Sequence, residues 1–155
     1  MKTPYLLLLT ILALHAHTPA HAWSDKTWDD ISAVGVYSLV GTALILPTTR
    51  KDWEGLRQAA YSMGSATGIS LIGKALVDEE RPDNSDDDSF PSGHTMHAVG
   101  FSWILMTYYP ELGLFVLPFT ILVAMSRLVL GLHYPSDVLA GALIGSTIAN
   151  IVIMY

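Results

Sequence analysis

The chain has 155 residues, 51% of them hydrophobic and only 14% charged, with a mean hydropathy of +0.41. That balance is too apolar and too charge-poor for an ordinary soluble domain and fits one membrane-embedded domain. A formal net charge of −6 argues against a nucleic-acid partner, and the absence of cysteine excludes disulfides and thiolate-bound metals.

Met1-Lys2, the apolar stretch from Tyr5 to Leu14 and the small-x-small run Ala20-His21-Ala22 have the layout of an export signal cleaved before Trp23. The apolar stretch is shorter than the ~20 residues of a spanning helix; an uncleaved anchor is the alternative. Residues 1–22 are read as this segment and residues 23–155 as one integral-membrane domain. Five apolar segments follow: Ile31 to Leu46, Leu56 to Val77, Gly93 to Tyr109, Leu112 to Leu130 and Ser136 to Tyr155. None alternates strictly between apolar and polar, and their lengths suit helices. The predicted class is therefore all-α, a membrane-embedded helical bundle with five core helices after the signal-like segment. Gly64 with Gly68, and Gly141 with Gly145, form two GxxxG pairs that let helix backbones approach closely. Pro118 is a candidate kink in the fourth segment. Trp23, Trp28, Trp53, Tyr108 and Tyr109 lie near segment ends, where aromatic side chains anchor at the membrane interface.

Arg50, Lys51 and Arg57 cluster at the joint between the first two segments, and the positive-inside rule makes that joint cytoplasmic. Counting crossings from there brings Lys74, Arg81, His94, Arg127, His133 and Asp137 to the outer ends of their helices, at one depth.

These residues carry the chemistry. Lys74 and Arg81 are seven positions apart, about two turns, so both project from one face of a helix that runs until Pro82 stops it. A lysine that deep in an apolar helix pairs with an anion or snorkels to water. Ser92-Gly93-His94 reads as a helix start, with Ser92 as cap, Gly93 admitting a ligand close to the backbone and the free first-turn N–H groups directed at an anion; it also fits a plain helix cap. Gly131 marks a helix end between Arg127 and His133, and Tyr134-Pro135 leads into the next helix. Asp137, four residues past His133, reaches back to one ring nitrogen and leaves the other free, as a nucleophilic histidine requires. The alternative is a His-Asp pair that only ties two helices together. His97, one turn beyond His94, is read as packing.

The order Lys-x6-Arg-Pro, Pro-Ser-Gly-His and Ser-Arg-x5-His-x3-Asp, from Lys74 to Asp137, resembles the three-part signature of the type-2 phosphatidic acid phosphatase superfamily, which includes soluble acid phosphatases and vanadium haloperoxidases. The chain is most similar to its small, membrane-bound bacterial lipid phosphatases. The resemblance implies that His133 is the nucleophile, Asp137 its orienter and His94 the acid for the leaving oxygen. Lys74, Arg81, Ser92, Gly93 and Arg127 would bind the phosphoryl oxygens, with no metal or other cofactor. It further implies hydrolysis of a lipid phosphate or diphosphate through a phosphohistidine, in the bacterial inner membrane with the site facing the periplasm. The candidate substrates are a polyprenyl diphosphate, phosphatidate, phosphatidylglycerophosphate or a lipid A phosphate. A lipid phosphotransferase and a non-catalytic lipid-phosphate binder or transporter are the alternatives. Membrane members of the family often have six spanning helices, whereas five remain here after cleavage.

The loop holding Asp78, Glu79, Glu80, Asp83, Asp86, Asp87 and Asp88 sets seven carboxylates beside a site that must accept an anion. It lacks the glycine and spacing of a calcium-binding hand and is read as solvated, its field repelling soluble anions more than a lipid phosphate arriving through the bilayer.

Overall fold

A computed structural model describes residues 23–155. The signal-like segment, residues 1–22, lies outside them. The described chain forms five helices: α1 (Asp25–Arg50), α2 (Trp53–Leu76), α3 (Gly93–Tyr108), α4 (Gly113–Val129) and α5 (Pro135–Met154), with a short 3-10 turn at Pro110–Leu112 before α4. This is the expected five-helix bundle. The first helix begins earlier than its apolar run, because Ser24 caps it through the Thr27 N–H and the polar residues Asp25 to Asp30 join it. It ends at Lys51, whose left-handed backbone (φ 57°) lets its N–H bond back to the Pro47 carbonyl. α4 continues through Pro118, as α1 does through Pro47.

Three helical stretches, Asp25–Arg50, Pro110–Val129 and Pro135–Met154, are long and apolar enough to cross a membrane. The outside of the bundle is apolar, with Tyr37, Ile45, Leu71, Ile72, Phe115, Leu139 and Leu143 all exposed. The inside is built largely from small and polar residues, among them Ser32, Ser62, Ala66, Ser70, Ser102, Gly141 and Gly145. That inversion of the soluble pattern is the one expected when lipid supplies the apolar solvent and close packing holds the helices together.

The central helix is α3, packed against all four others. Phe101 and Leu105 from it meet Leu39, Ala43, Ala59, Val116 and Val123 in the main core. Its closest neighbour is α5. A Cβ added at Gly141 would lie 2.6 Å from the Ser92 carbonyl oxygen, and one at Gly145 would fall against the Met96 carbonyl. That GxxxG pair packs as expected. The Gly64 and Gly68 pair does not: a Cβ at either would meet nothing within 4 Å. The face α2 buries is instead Gly55, Gln58, Ala59, Ser62, Ala66 and Ser70, because GxxxG sets a spacing along a helix and not the face that finds a partner.

One end of the bundle gathers the α1–α2 joint, the α3–α4 joint and the C-terminus. Arg50 pairs with Glu111, the Tyr109 hydroxyl donates to Asp52 at 2.7 Å, and Arg57 reaches the Tyr155 carbonyl. Tyr109 and Trp28 are buried and so are not the interfacial anchors expected of them, whereas Trp23 and Trp53 are exposed. The start of α1, the α2–α3 loop and the α4–α5 turn occupy the other end, tied by the Asp83 N–H to the Gly131 carbonyl (3.0 Å).

Gly145→Ala is expected to lower stability by about 1–3 kcal/mol, the usual range for overpacking, while Gly64→Ala is neutral or slightly stabilising through helix propensity. Thermal unfolding of both variants in detergent checks this; equal effects would remove the distinction between the two glycine pairs.

Candidate active site

At that second end a cavity of about 330 Å³ is lined by Val36, Lys74, Arg81, Asp88, Gly93, His94, His97, Arg127 and His133. Six of the eight residues singled out in the sequence face it, and the other two, Ser92 and Asp137, are fully buried against its wall. Five separate stretches of chain supply the six, Arg81 coming from the α2–α3 loop. Lys74 comes from the last turn of α2, Gly93 and His94 from the first turn of α3, Arg127 from the last turn of α4, and His133 from the turn before α5. Gly131 makes that last turn possible, its φ of +66° reversing the chain just past the end of α4.

Arg81 arrives differently from expectation. α2 ends at Leu76, Val77 is extended, and Arg81 stands in the loop rather than on a continuing helix. The loop has its own backbone framework: the Arg81 N–H donates to Asp86, the Ser89 N–H to Glu79, and Glu79 and Asp88 form one parallel bridge. Lys74 and Arg81 converge through Asp88, whose carboxylate accepts from Lys74 Nζ at 2.9 Å and from Arg81 Nε at 2.7 Å. The acidic loop is thus only partly solvated. Asp78, Glu80, Asp83, Asp86 and Asp87 are exposed, but Glu79 and Asp88 are half-buried. Partial burial alone would raise the Asp88 carboxyl; the Lys74 and Arg81 charges outweigh it and hold the group below the usual carboxylate range. Among the described residues, no group of three or more His, Cys, Asp or Glu side chains is arranged to hold a metal ion.

Ser92 does not cap α3 with its side chain; its hydroxyl pairs with Thr95 Oγ1 at 3.0 Å. The first-turn N–H groups of α3 consequently keep their donor capacity at the cavity wall. His97 is held on both ring nitrogens, Nδ1 donating to the Gly93 carbonyl (2.8 Å) and Nε2 accepting from Thr67 Oγ1 (3.2 Å), an arrangement that suits the packing role. His94 is exposed to the cavity.

The expected direct bond from Asp137 to His133 is absent. Asp137 Oδ2 lies 3.9 Å from His133 Nδ1, and that nitrogen instead donates to the Ser89 carbonyl at 2.6 Å. The Asp137 oxygen is already engaged by the Ser89 hydroxyl (2.6 Å) and the Tyr134 N–H (2.8 Å), and the Ser92 N–H bonds to its backbone carbonyl (3.1 Å). Asp137 therefore fixes the start of α5 and the segment before α3, and Ser89 passes that constraint to the imidazole. Because a carbonyl only accepts, Nδ1 carries the proton and Nε2 keeps its lone pair for the cavity.

Sequence reasoning missed two residues here and read a third only as part of a solvated loop. Ser32, on α1, accepts a hydrogen bond from Arg127 Nη1 at 3.1 Å, while Arg127 Nε is buried with no partner among the described residues and is a donor in reserve. Ser89 is the other missed residue, and Asp88 is the loop carboxylate that pairs with Lys74 and Arg81 instead of facing water alone. The position of Ser89 directly before Phe90-Pro91 was the available signal, whereas nothing local distinguishes Ser32 from any other serine in an apolar helix.

Three cations, a helix N-terminus and three histidines around one cavity, at one end of an apolar helical bundle, define a membrane enzyme that handles an anionic group. The family model described as the PAP2 superfamily matches residues 55–155, and the chain belongs to that superfamily. It is a membrane phosphatase. It is similar to decaprenylphosphoryl-5-phosphoribose phosphatase of Mycobacterium tuberculosis, with 34% identity covering 76% of this chain and 68% of that one. It is also similar to phosphatidylglycerophosphatase B of Bacillus subtilis, with 27% identity covering 90% and 86%. Among solved structures, the crystal structure of Aquifex aeolicus LpxE superposes with a TM-score of 0.74 at 21% identity, covering 87% of this chain and 90% of the other. The PAP2-type phosphatidylglycerolphosphate phosphatase from Bacillus subtilis gives 0.68 at 25%, covering 99% and 96%.

Burial, reinforced by the Arg127 charge and only partly offset by the Ser89 carbonyl, pushes the His133 imidazole down to about 4. Between its ordinary value of 6.5 and about 4, the unfolded chain binds a proton that folded His133 refuses, so this residue's contribution to stability falls as pH drops through that window. Relative to His133→Asn, the parent protein is expected to lose thermal stability between pH 7 and pH 4.5. A flat or rising difference would show that His133 is not held neutral by its surroundings.

Proposed function

We propose that the protein hydrolyses a terminal phosphate or diphosphate on a membrane lipid through a phosphohistidine at His133. The observation that carries this reading is the shared cavity, in which His94 and His133 stand with Lys74, Arg81 and Arg127. His133 Nε2 attacks phosphorus in line while the bond to the leaving oxygen breaks, and His94 gives that oxygen its proton. Arg127, Lys74, Arg81 and the first-turn amides of α3 from Gly93 onward bind the equatorial oxygens, where charge is greatest in the transition state. In the second half His94 takes a proton from water, water oxygen bonds to phosphorus, and the P–N bond breaks to release phosphate. Asp137 holds the nucleophile's surroundings rather than its ring nitrogen.

Two features support a lipid substrate. The similar proteins are named for a decaprenylphosphoryl sugar phosphate, for phosphatidylglycerophosphate and, in a Rhizobium johnstonii relative 36% identical over 70% of this chain and 57% of that one, for lipid A. The five exposed carboxylates of the α2–α3 loop also set a negative field at the aqueous side of the site, which a phosphate arriving on a lipid crosses less of. The Arg50, Lys51 and Arg57 end, opposite the site, faces the cytoplasm in this reading, and the cavity faces the periplasm of an inner-membrane protein.

Purified protein in detergent, given a panel of polyprenyl, glycerolipid and lipid A phosphates, is expected to release inorganic phosphate and leave the dephosphorylated lipid. His133→Ala should lower that release by at least about a hundredfold. Phosphate recovered on another acceptor would make the protein a transferase; undiminished release by His133→Ala on every substrate would remove His133 as nucleophile.

A further inference from the structure

Two of the three cations around the cavity do not face it unaccompanied. The Asp88 carboxylate spans them, Oδ2 on Lys74 and Oδ1 on Arg81, and Lys74 Nζ also bonds to the Asp88 backbone carbonyl. Asp88 itself lines the cavity beside His94, Arg127 and His133. Two carboxylate oxygens on two cations reproduce the contacts that two oxygens of a phosphoryl group would make with the same pair. The neighbouring carboxylates Asp86 and Asp87 are exposed and make no such contact.

The way Asp88 is mounted separates its side chain from the rest of the site. Its neighbour Ser89 is fully buried, fixed through its N–H to Glu79 and through its hydroxyl to Asp137. The Asp88 side chain is 34% exposed and borders water. Rotation about its own side-chain bonds therefore carries the carboxylate off the cations without disturbing the Ser89 carbonyl that holds His133.

We propose that Asp88 is a built-in occupant of the phosphate-binding position, displaced from Lys74 and Arg81 by the incoming phosphoryl group and returning to them as inorganic phosphate leaves. This rests on the reading of the cavity as a phosphate site. A tethered carboxylate competes at an effective concentration on the order of millimolar. A lipid substrate offsets that competition with the binding of its apolar chain, whereas inorganic phosphate has no such chain. Asp88 thus weakens product binding while leaving Arg127 and the α3 amides to hold the group in flight. While Asp88 is seated, the Lys74 and Arg81 part of the site is closed to other anions, and measured affinity is reduced by the fraction of molecules in which it is open.

Equilibrium binding of inorganic phosphate to the full chain in detergent tests this, with Asp88→Asn, Asp88→Ser and Arg127→Gln compared with the parent. Both Asp88 variants are expected to bind phosphate about tenfold more tightly than the parent, and Arg127→Gln more weakly. Parent binding that is lost in Arg127→Gln but unchanged or weakened in both Asp88 variants would overturn the proposal, leaving Asp88 as a brace for Lys74 and Arg81. No phosphate binding by the parent or either Asp88 variant would overturn both the proposal and the phosphate-site reading on which it rests.

Discussion

The contact on which the rest depends is the close approach of α3 and α5 through Gly141 and Gly145. Without side chains at these positions, α5 seats against the Ser92 and Met96 carbonyls. That brings the Asp137 carboxylate within reach of the Ser89 hydroxyl, and the Asp137 carbonyl within reach of the Ser92 N–H. Ser89 in turn sets the His133 ring by its carbonyl. His133 and His94, the proposed nucleophile and acid, stand on different segments and share one cavity because of a backbone approach below it. In a bilayer, apolar burial between helices adds little, so small-residue packing and interhelical hydrogen bonds must supply the association.

Charge in the site is arranged in the same economical way. Arg127 is buried, yet it hydrogen-bonds to Ser32 of α1 rather than to a carboxylate, so its positive charge remains available to an anion. Lys74 and Arg81, nearer water, are bridged by Asp88. A site with three unneutralised cations would bind any anion strongly and release it slowly. The mixed arrangement keeps one committed cation and two that exchange partners.

The bundle and most of the site could be read from the sequence because a charge or an imidazole in an apolar chain is informative wherever it stands. Lys74, His94, Arg127 and His133 were legible for that reason, and Gly131 because a helix must end between Arg127 and His133. What escaped depends on direction or on distant partners. The repeat at Gly64 and Gly68 looks identical to that at Gly141 and Gly145, and only the placement of neighbours decides which is packed. Arg81 was assigned to a helix by spacing from Lys74, but α2 stops at Leu76 and the loop's internal bonds govern its place. Ser32 and Arg127 are 95 positions apart, and no local pattern joins them. Asp137 stands 3.9 Å from the His133 nitrogen it was expected to bond, and the serine that bonds to it in place of the imidazole lies 48 positions earlier in the chain.

In the proposed mechanism His133 carries the phosphoryl group between the two half-reactions. Phosphohistidine is labile in acid and survives in base, so the direct measurement is an alkaline quench of the enzyme turning over a lipid radiolabelled in its terminal phosphate, followed by peptide mapping. Protein-bound label is expected on the peptide containing His133, absent in His133→Ala and accumulating in His94→Ala on a substrate with a good leaving group, where hydrolysis of the intermediate is the slowed step. Turnover with no protein-bound label at any quench time in either the parent or His94→Ala, or label on a residue other than His133, would contradict it.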